Sequence, residues 1–352
     1  MTAYAPIAMP RIAERPIRVL IVDDSPTMRA MVAHSLSQDA GIEVVGSANG
    51  PHAAREMIKR LDPDVITLDV EMPDMNGLDF LDRIMRLRPM PVVMLSTLTG
   101  RGAEATIKAL ELGAFDCYRK PERAADPHFA DDLGRLVKAA AKSRVRPRFV
   151  AGPAGAPTGY VPRADAMIAV GSSTGGVEAL IELLAGFPAQ CPPTVIVQHM
   201  PEAYVPTFAA RLDRLSAPTV SVARSGAPLE VGHVYVAPGG SHHCEITGGH
   251  LRRCRLVPDE KMSGHRPSVD RLFLSVARWA GASAVGAILT GMGADGAQGL
   301  KAMKDTGAKT IGQDEESCVV YGMPAAAHQM GGVTTQLPLS RIAARLLSEC
   351  RA

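Results

Sequence analysis

Two groups of residues in this 352-residue chain have the types and spacing to do chemistry. The first is acidic: Asp23-Asp24, Asp69, Ser96-Thr97 and Lys120-Pro121 each follow a short apolar run that reads as a strand. In an open parallel sheet, such groups meet outside the carboxyl ends of the strands. Crowded carboxylates repel one another, and a hard divalent cation such as Mg²⁺ relieves that repulsion through oxygen ligands. A carboxylate can also act as a nucleophile and form an acyl phosphate. Asp69 lies between the other strand-end groups and is the natural acceptor. Asp23 and Asp24, with Asp69 itself and the backbone carbonyl of Glu71, are the candidate metal donors. Lys120 can hold phosphoryl oxygens, and the Ser96 hydroxyl can move to meet them. One acid at a strand end reads as solvated surface; four strand ends with complementary chemistry do not.

The second group centres on Gly171-Ser172-Ser173-Thr174-Gly175-Gly176, between the apolar run Met167–Val170 and a helix predicted from near Val177. A tight turn of this kind serves either to cradle phosphate on backbone N–H groups or to expose a nucleophilic serine. It lacks the lysine of GxxxxGK[ST] and does not fit GxSxG, so by itself it is ambiguous. A nucleophilic serine needs a base and an acid to orient that base. Of the seven histidines in this half, only His199 stands at the end of the strand next after the serine unit. His242, His243 and His250 are read as a polar hairpin between two strands in preference to a metal site. Asp295, in the loop after the predicted strand Val285–Leu289, is available to hold the histidine tautomer. A rival reading exists, because Gly291-Met-Gly293-Ala-Asp-Gly296 is a literal GxGxxG, with Asp314 and Glu315 about twenty residues on. Against dinucleotide binding stand the charge of Asp295 beside a pyrophosphate and the position of the unit at the end of its domain.

The elements that must position these residues can be read from the pattern. From Arg18 the chain alternates β-branched runs with helical stretches. Strands are predicted at Arg18–Val22, Glu43–Val45, Asp64–Leu68, Pro91–Leu95 and Phe115–Tyr118, which implies a parallel sheet covered on both faces. Ser25-Pro26 supplies a cap and a first-turn proline for the first helix. Residues 135–148 carry six Lys or Arg and no acid, and a run of Ala, Gly and Pro follows. That composition marks a flexible linker, and the basic run reads as a fraying cationic helix end. A second α/β alternation starts at Met167, with turns joining some strands, so a doubly wound, mostly parallel sheet with some mixed pairing is expected there. The division expected is a tail over 1–16, a first domain over 17–137, a linker over 138–163 and a second domain over 164–347.

Composition restricts the function further. With 46% apolar and 21% charged residues and a net charge of +2, the chain has the makeup of an ordinary soluble protein and no global bias toward nucleic acid. No apolar run approaches the roughly 18 residues needed to span a bilayer, so no membrane insertion is expected. The six cysteines form no CxxC pair and read as buried or incidental thiols in a reducing cytosol.

The motifs together resemble known families. Val22-Asp23-Asp24-Ser25, Asp69-Val-Glu-Met-Pro73 with Gly77, Ser96-Thr97 and Lys120-Pro121 are similar to the receiver domain of bacterial two-component systems, over roughly residues 17–135. The resemblance implies a (βα)5 receiver with Asp69 as phosphorylation site, Asp23 and Asp24 as Mg²⁺ ligands, Ser96 as switch hydroxyl and Lys120 as phosphate contact. It also implies a histidine kinase as phosphodonor. One position departs: the aromatic switch residue often found three places before the lysine is here Cys117. Tyr118, one residue off, is expected to face the other side of the strand. Gly-Ser-Ser-Thr-Gly-Gly (171–176), Gln-His-Met-Pro (198–201), His-Arg-Pro-Ser-Val-Asp (265–270), Leu-Thr-Gly-Met-Gly-Ala-Asp-Gly (289–296) and Ser-Cys-Val-Val-Tyr-Gly-Met-Pro (317–324) resemble the catalytic domain of the CheB protein-glutamate methylesterases, over about 164–345. That resemblance implies Ser173 as nucleophile, His199 as general base, Asp295 as its orienter, and Thr174 with the Met292 N–H as oxyanion donors. It further implies cytoplasmic chemoreceptor helices as substrate, deamidation of receptor glutamines as a related reaction, and no cofactor in the catalytic domain. A phosphorylation-dependent binding module that has lost hydrolase activity is the alternative of another class. The role of the 265–270 segment, a substrate-cleft element or a helix start capped by Ser268, stays open at this level.

Overall fold

The computed structural model describes residues 15–73, 75–96, 100–121, 128–143, 159–249 and 251–352; Thr97, His250 and most of the predicted linker fall outside them. The first half folds as β1 (Ile17–Val22), α1 (Pro26–Ser37), β2 (Ile42–Ala48), α2 (Pro51–Leu61), β3 (Val65–Asp69), α3 (Gly77–Leu87), β4 (Val92–Ser96), α4 (Gly100–Glu111), β5 (Asp116–Arg119) and α5 (Phe129–Lys142). Its five strands pair in the order β2-β1-β3-β4-β5, every pairing parallel. The local causes are those the residues dictate. Ser25 accepts from the Met28 N–H at the start of α1, with Pro26 in the first turn, and Asn76 accepts from the Asp79 N–H at the start of α3. The interior strands are buried on both faces, and helices pack on either side over two separate apolar clusters. The basic stretch read as a helix end is one as far as Lys142, where α5 stops.

The second half runs β6 (Met167–Ser172), α6 (Gly176–Ala185), β7 (Thr194–Gln198), α7 (Val205–Leu215), β8 (Thr219–Val222), β9 (His233–Val236), β10 (His243–Thr247), β11 (Arg253–Val257), α8 (Val269–Trp279), β12 (Ala284–Ile288), α9 (Ala297–Asp305), β13 (Lys309–Gln313), α10 (Met323–Gln329), β14 (Thr335–Leu337) and α11 (Leu339–Glu349). The sheet order is β14-β13-β12-β6-β7-β9-β8, and all six pairings are parallel. The sheet expected to be mostly parallel is wholly so, and the turn-joined strands add no antiparallel pairing to it. The antiparallel pair, β10 with β11, stands apart as a two-stranded hairpin. His243 begins β10 and is buried, holding the Glu260 carbonyl and the Ser268 N–H through its two ring nitrogens. The cysteines are free thiols, five of them buried and Cys117 partly so. Among the described residues, no helix is long and apolar enough to cross a membrane.

The two halves pack against each other. Helix α4 lies on α6, α7 and the short turn Glu202–Tyr204. Ile107 and Leu110 of α4 are buried in the same apolar cluster as Leu180, Leu184 and Phe208 of the second half. At the margin of this contact, Arg211 forms a forked ion pair with Glu111.

Candidate active site and acidic pocket

Asp23 follows β1, Asp69 ends β3 and Lys120 follows β5, so the parallel order β1-β3-β4-β5 brings them to one sheet edge. The Lys120 ammonium sits 2.8 Å from Asp23 Oδ2 and 2.7 Å from Asp69 Oδ1. Asp23, Asp24 and Asp69 each offer a carboxylate oxygen, all within 4.8 Å of one another; Asp23 and Asp69 are buried and Asp24 is exposed. Burial pushes the Asp69 carboxyl up to about 6, aided by the charge of Asp23 and opposed by Lys120. Three carboxylates against one lysine leave a deficit of positive charge, and the all-oxygen donor set fits a hard divalent cation. The Glu71 N–H donates to Asp69 Oδ1 at 3.2 Å. Gly77 is required by close approach: a Cβ there would lie 2.0 Å from the Asp69 carbonyl oxygen.

Ser96 is buried, and Thr106 Oγ1 donates to its hydroxyl at 3.4 Å. The Cys117 thiol in turn donates to the Thr106 carbonyl at 3.7 Å. Tyr118 does face away, as the strand alternation requires. Its hydroxyl donates to Asp132 at 2.9 Å, and its ring packs on Phe129.

In the second half, β12, β6 and β7 are neighbours, and the serine turn, His199 and Asp295 all leave their carboxyl ends. The two adjacent serines are told apart by their bonds. Ser172 is fully buried and donates to Gln198 Oε1 at 2.6 Å, whereas Ser173 lines a cavity of about 340 Å³ that His199 and Gln198 also line. Gln198 Nε2 donates to the carbonyls of Ser173 and His199, at 2.9 and 3.0 Å, and so pins both residues from beneath. Gly291 leaves room for the serine turn, since a Cβ there would lie 2.8 Å from the Ser173 Cβ and 2.3 Å from the Met323 sulfur.

His199 Nε2 and Asp295 Oδ2 are 2.8 Å apart. The other ring nitrogen, Nδ1, is buried and has no hydrogen-bond partner among the described residues. Asp295 is held by the start of α8. Its Oδ2 accepts the Val269 N–H at 2.7 Å, and its Oδ1 accepts the Ser268 hydroxyl at 2.7 Å and the Asp270 N–H at 3.0 Å. Burial alone would raise this carboxyl, but the bonds from His199, Asp270 and Ser268 hold it below its ordinary range, as does any helix N-terminus facing an anion. Ser268 is thus both the cap of α8, accepting from the Arg271 N–H, and a support for Asp295, so the 265–270 segment does include a capped helix start. His265 stacks on His199 with ring centroids 3.8 Å apart and planes within 5°. Burial, and after it the neighbouring His199, lowers His265 to about 4.

Thr174 and Met292 differ in state. The Met292 N–H has no hydrogen-bond acceptor among the described residues. Thr174 Oγ1 donates at 2.6 Å to Oδ2 of Asp116, a residue of the first half. The cavity beside Ser173 is accordingly lined from both halves, with Thr106, Asp116 and Cys117 contributed by the first. The glycine-rich loop Gly291–Gly296 is not arranged as a pyrophosphate cradle: the Gly291 N–H is spent on the Val320 carbonyl, and Asp295 turns to His199. Sequence reasoning assigns no site role to Gln198 or Asp116, and it leaves His265 and Ser268 between a substrate-cleft element and a helix start. Only the fold puts Gln198 on the cavity wall, His265 on the His199 ring and Ser268 on Asp295.

Residues 168–346 match the family model for CheB methylesterase, and residues 19–128 match that for the response regulator receiver domain. A protein-glutamate methylesterase/protein-glutamine glutaminase of Rhizobium etli is 56% identical, covering 94% of this chain and 96% of its own. One of Caulobacter vibrioides is 57% identical, covering 94% and 97%. The crystal structure of the Thermotoga maritima CheB methylesterase catalytic domain aligns with 52% of this chain and 97% of its own, at 34% identity and a TM-score of 0.51.

Proposed function

We propose a mechanism for a chain that belongs to the CheB methylesterase family and carries a response regulator receiver domain ahead of the catalytic one. The reaction is phosphorylation-regulated hydrolysis of glutamyl methyl esters on chemoreceptors, with deamidation of receptor glutamines as the companion activity. The observation that carries the assignment of roles is the state of His199: Nε2 faces an ionised, fourfold-bound Asp295, while Nδ1 is left over on the edge that Ser173 shares.

Asp295 holds the proton on Nε2, which leaves Nδ1 as the base. His199 Nδ1 takes the Ser173 hydroxyl proton as Oγ attacks the γ-carbonyl carbon. The resulting oxyanion accepts from the Met292 N–H and, once it is available, the Thr174 hydroxyl. Collapse breaks the C–O bond, and His199 returns the proton to the departing methoxide, releasing methanol. Water activated by His199 then cleaves the acyl-enzyme to a glutamate carboxylate and free Ser173. A glutamine amide follows the same course and releases ammonia. In the first domain, Asp23, Asp24, Asp69 and the Glu71 carbonyl would hold Mg²⁺. When bound, the ion neutralises carboxylate and phosphoryl charge there. Asp69 accepts the phosphoryl group from a histidine kinase, Lys120 contacts its oxygens, and Ser96 moves toward it. The substrate is a cytoplasmic receptor helix, so the protein works in the cytoplasm, with neither nucleic acid nor membrane insertion in the reaction.

Methanol released from a methylated receptor fragment, with and without acetyl phosphate, tests this reading. Release that depends on Ser173 and rises with the phosphodonor is expected. A chain that binds receptor but releases no methanol would be a regulatory binding module instead.

A further inference from the structure

The mechanism asks Thr174 to donate to the oxyanion, yet its hydroxyl proton is already committed to Asp116 Oδ2 at 2.6 Å. The acid comes from β5 of the receiver and is fixed in place, because its other oxygen accepts the Cys117 N–H at 2.7 Å. Burial pushes the Asp116 carboxyl up, while the bonds it accepts from Thr174 and Cys117 favour its charged form. As long as it accepts that bond from Thr174, it takes the donor's only proton away from the place where an oxyanion must form. The cavity of about 340 Å³ at Ser173 remains, so the packed arrangement leaves room for a small ester even where a receptor helix is kept out.

A chain of contacts connects this carboxylate to the phosphoacceptor pocket. Ser96 accepts from the Thr106 hydroxyl, the Thr106 carbonyl accepts from the Cys117 thiol, and Cys117 adjoins Asp116. Cys117 occupies the place where an aromatic switch is expected, and it lines the cavity together with Asp116 and Thr106.

We propose that Asp116 is a carboxylate brake, occupying the Thr174 hydroxyl and disarming the oxyanion site, and that Ser96–Thr106–Cys117 is the route by which phosphorylation of Asp69 withdraws it. This rests on the reading of Ser173 as nucleophile and Thr174 as oxyanion donor. It differs from steric cover alone in a measurable way: a disarmed site turns over even small esters slowly, whereas a mere lid lets them react.

The test is hydrolysis of p-nitrophenyl acetate by the full chain, with and without acetyl phosphate and Mg²⁺. Unphosphorylated wild type should be slow and the phosphorylated form faster. Asp116→Ala and Asp116→Ser should raise the unphosphorylated kcat by about tenfold or more at little-changed KM, within the roughly 10²–10³ that one oxyanion donor is worth. A gain of activity cannot come from misfolding. Thr106→Val, with Asp116 in place, should stay slow and respond weakly to the phosphodonor. The brake is overturned if both Asp116 variants keep the wild-type rate while acetyl phosphate still activates, or if unphosphorylated wild type already matches the phosphorylated form. Full activation of Thr106→Val removes the route. Absence of any Ser173-dependent hydrolysis in every form overturns the hydrolase reading itself, and the brake with it.

Discussion

Two adjacent serines illustrate how environment assigns roles that residue type leaves equal. Ser172 and Ser173 have the same hydroxyl, but one is buried on Gln198 and the other lines the cavity with His199. Ser173→Ala should therefore abolish methanol release. Ser172→Ala should keep the nucleophile and lose about 1–3 kcal/mol of stability in denaturant unfolding, because Gln198 Oε1 is left buried without its donor. Thr174→Ala should lower phosphorylated kcat by about 10²–10³, a smaller loss than that of Ser173→Ala; equal small losses in the two would remove the nucleophile assignment. His265 adds a pH signature. Its ordinary value of 6.5 in the unfolded chain falls to about 4 in the folded one, by burial first and by His199 next. Between these values the unfolded state binds more protons, so this contribution is complete above 6.5 and is lost as pH falls toward 4. His265→Phe keeps a stacked ring and removes the titration. Its thermal midpoint should depend less on pH across that interval than the wild type's, in a series of scans at stepped pH.

At the scale of elements, the start of α8 is the most consequential. A helix N-terminus is a standing anion site, and here the anion is the protein's own Asp295. Ser268 serves the helix as cap and Asp295 as donor in one side chain. Ser268→Ala should cost about 1 kcal/mol of stability as a lost cap. It should also lower kcat with KM nearly unchanged, since two backbone N–H groups still hold the carboxylate but no longer orient it as tightly. Stability loss with kcat intact would confine Ser268 to capping. The parallel order β12-β6-β7 does the complementary work, because neighbouring strands deliver Asp295, Ser173 and His199 to one edge without any loop having to reach across the sheet.

Across the whole molecule, regulation is a matter of how firmly one half sits on the other. Moving the packed state from 99:1 to 1:99 takes about 5.5 kcal/mol of differential interaction, within reach of an apolar contact plus a few polar bonds. The Arg211–Glu111 ion pair is partly exposed and contributes at the low end. Arg211→Ala should raise unphosphorylated methanol release by about 1.4- to fivefold, following the roughly 0.2–1 kcal/mol typical of such pairs. A larger rise than that of Asp116→Ala would shift the weight of inhibition from the oxyanion site to the interface. Asp69→Asn should leave acetyl phosphate without effect on methanol release, because the acyl phosphate cannot form.

Asp69, Ser173, His199 and Asp295 were legible from sequence because each sits where a short apolar run ends, and a parallel sheet turns such ends into one edge. The interior receiver strands were legible for the same reason, being continuous apolar runs buried on both faces. The mostly parallel direction of the second sheet was legible too, but not the pairing of β8 with β9, since a short connection between them looks the same in sequence whether the strands then pair parallel or antiparallel. Nor could sequence show that Ser172 is structural, that Ser268 and Gln198 hold the triad, or that Asp116 reaches Thr174. Apart from the bond of Gln198 to its neighbour His199, those are contacts between residues 25 to 58 positions apart, and the one from Asp116 to Thr174 crosses a domain boundary. Local pattern fixes which residues can do chemistry; long-range packing alone decides which hydroxyl is free to do it and which is already bonded.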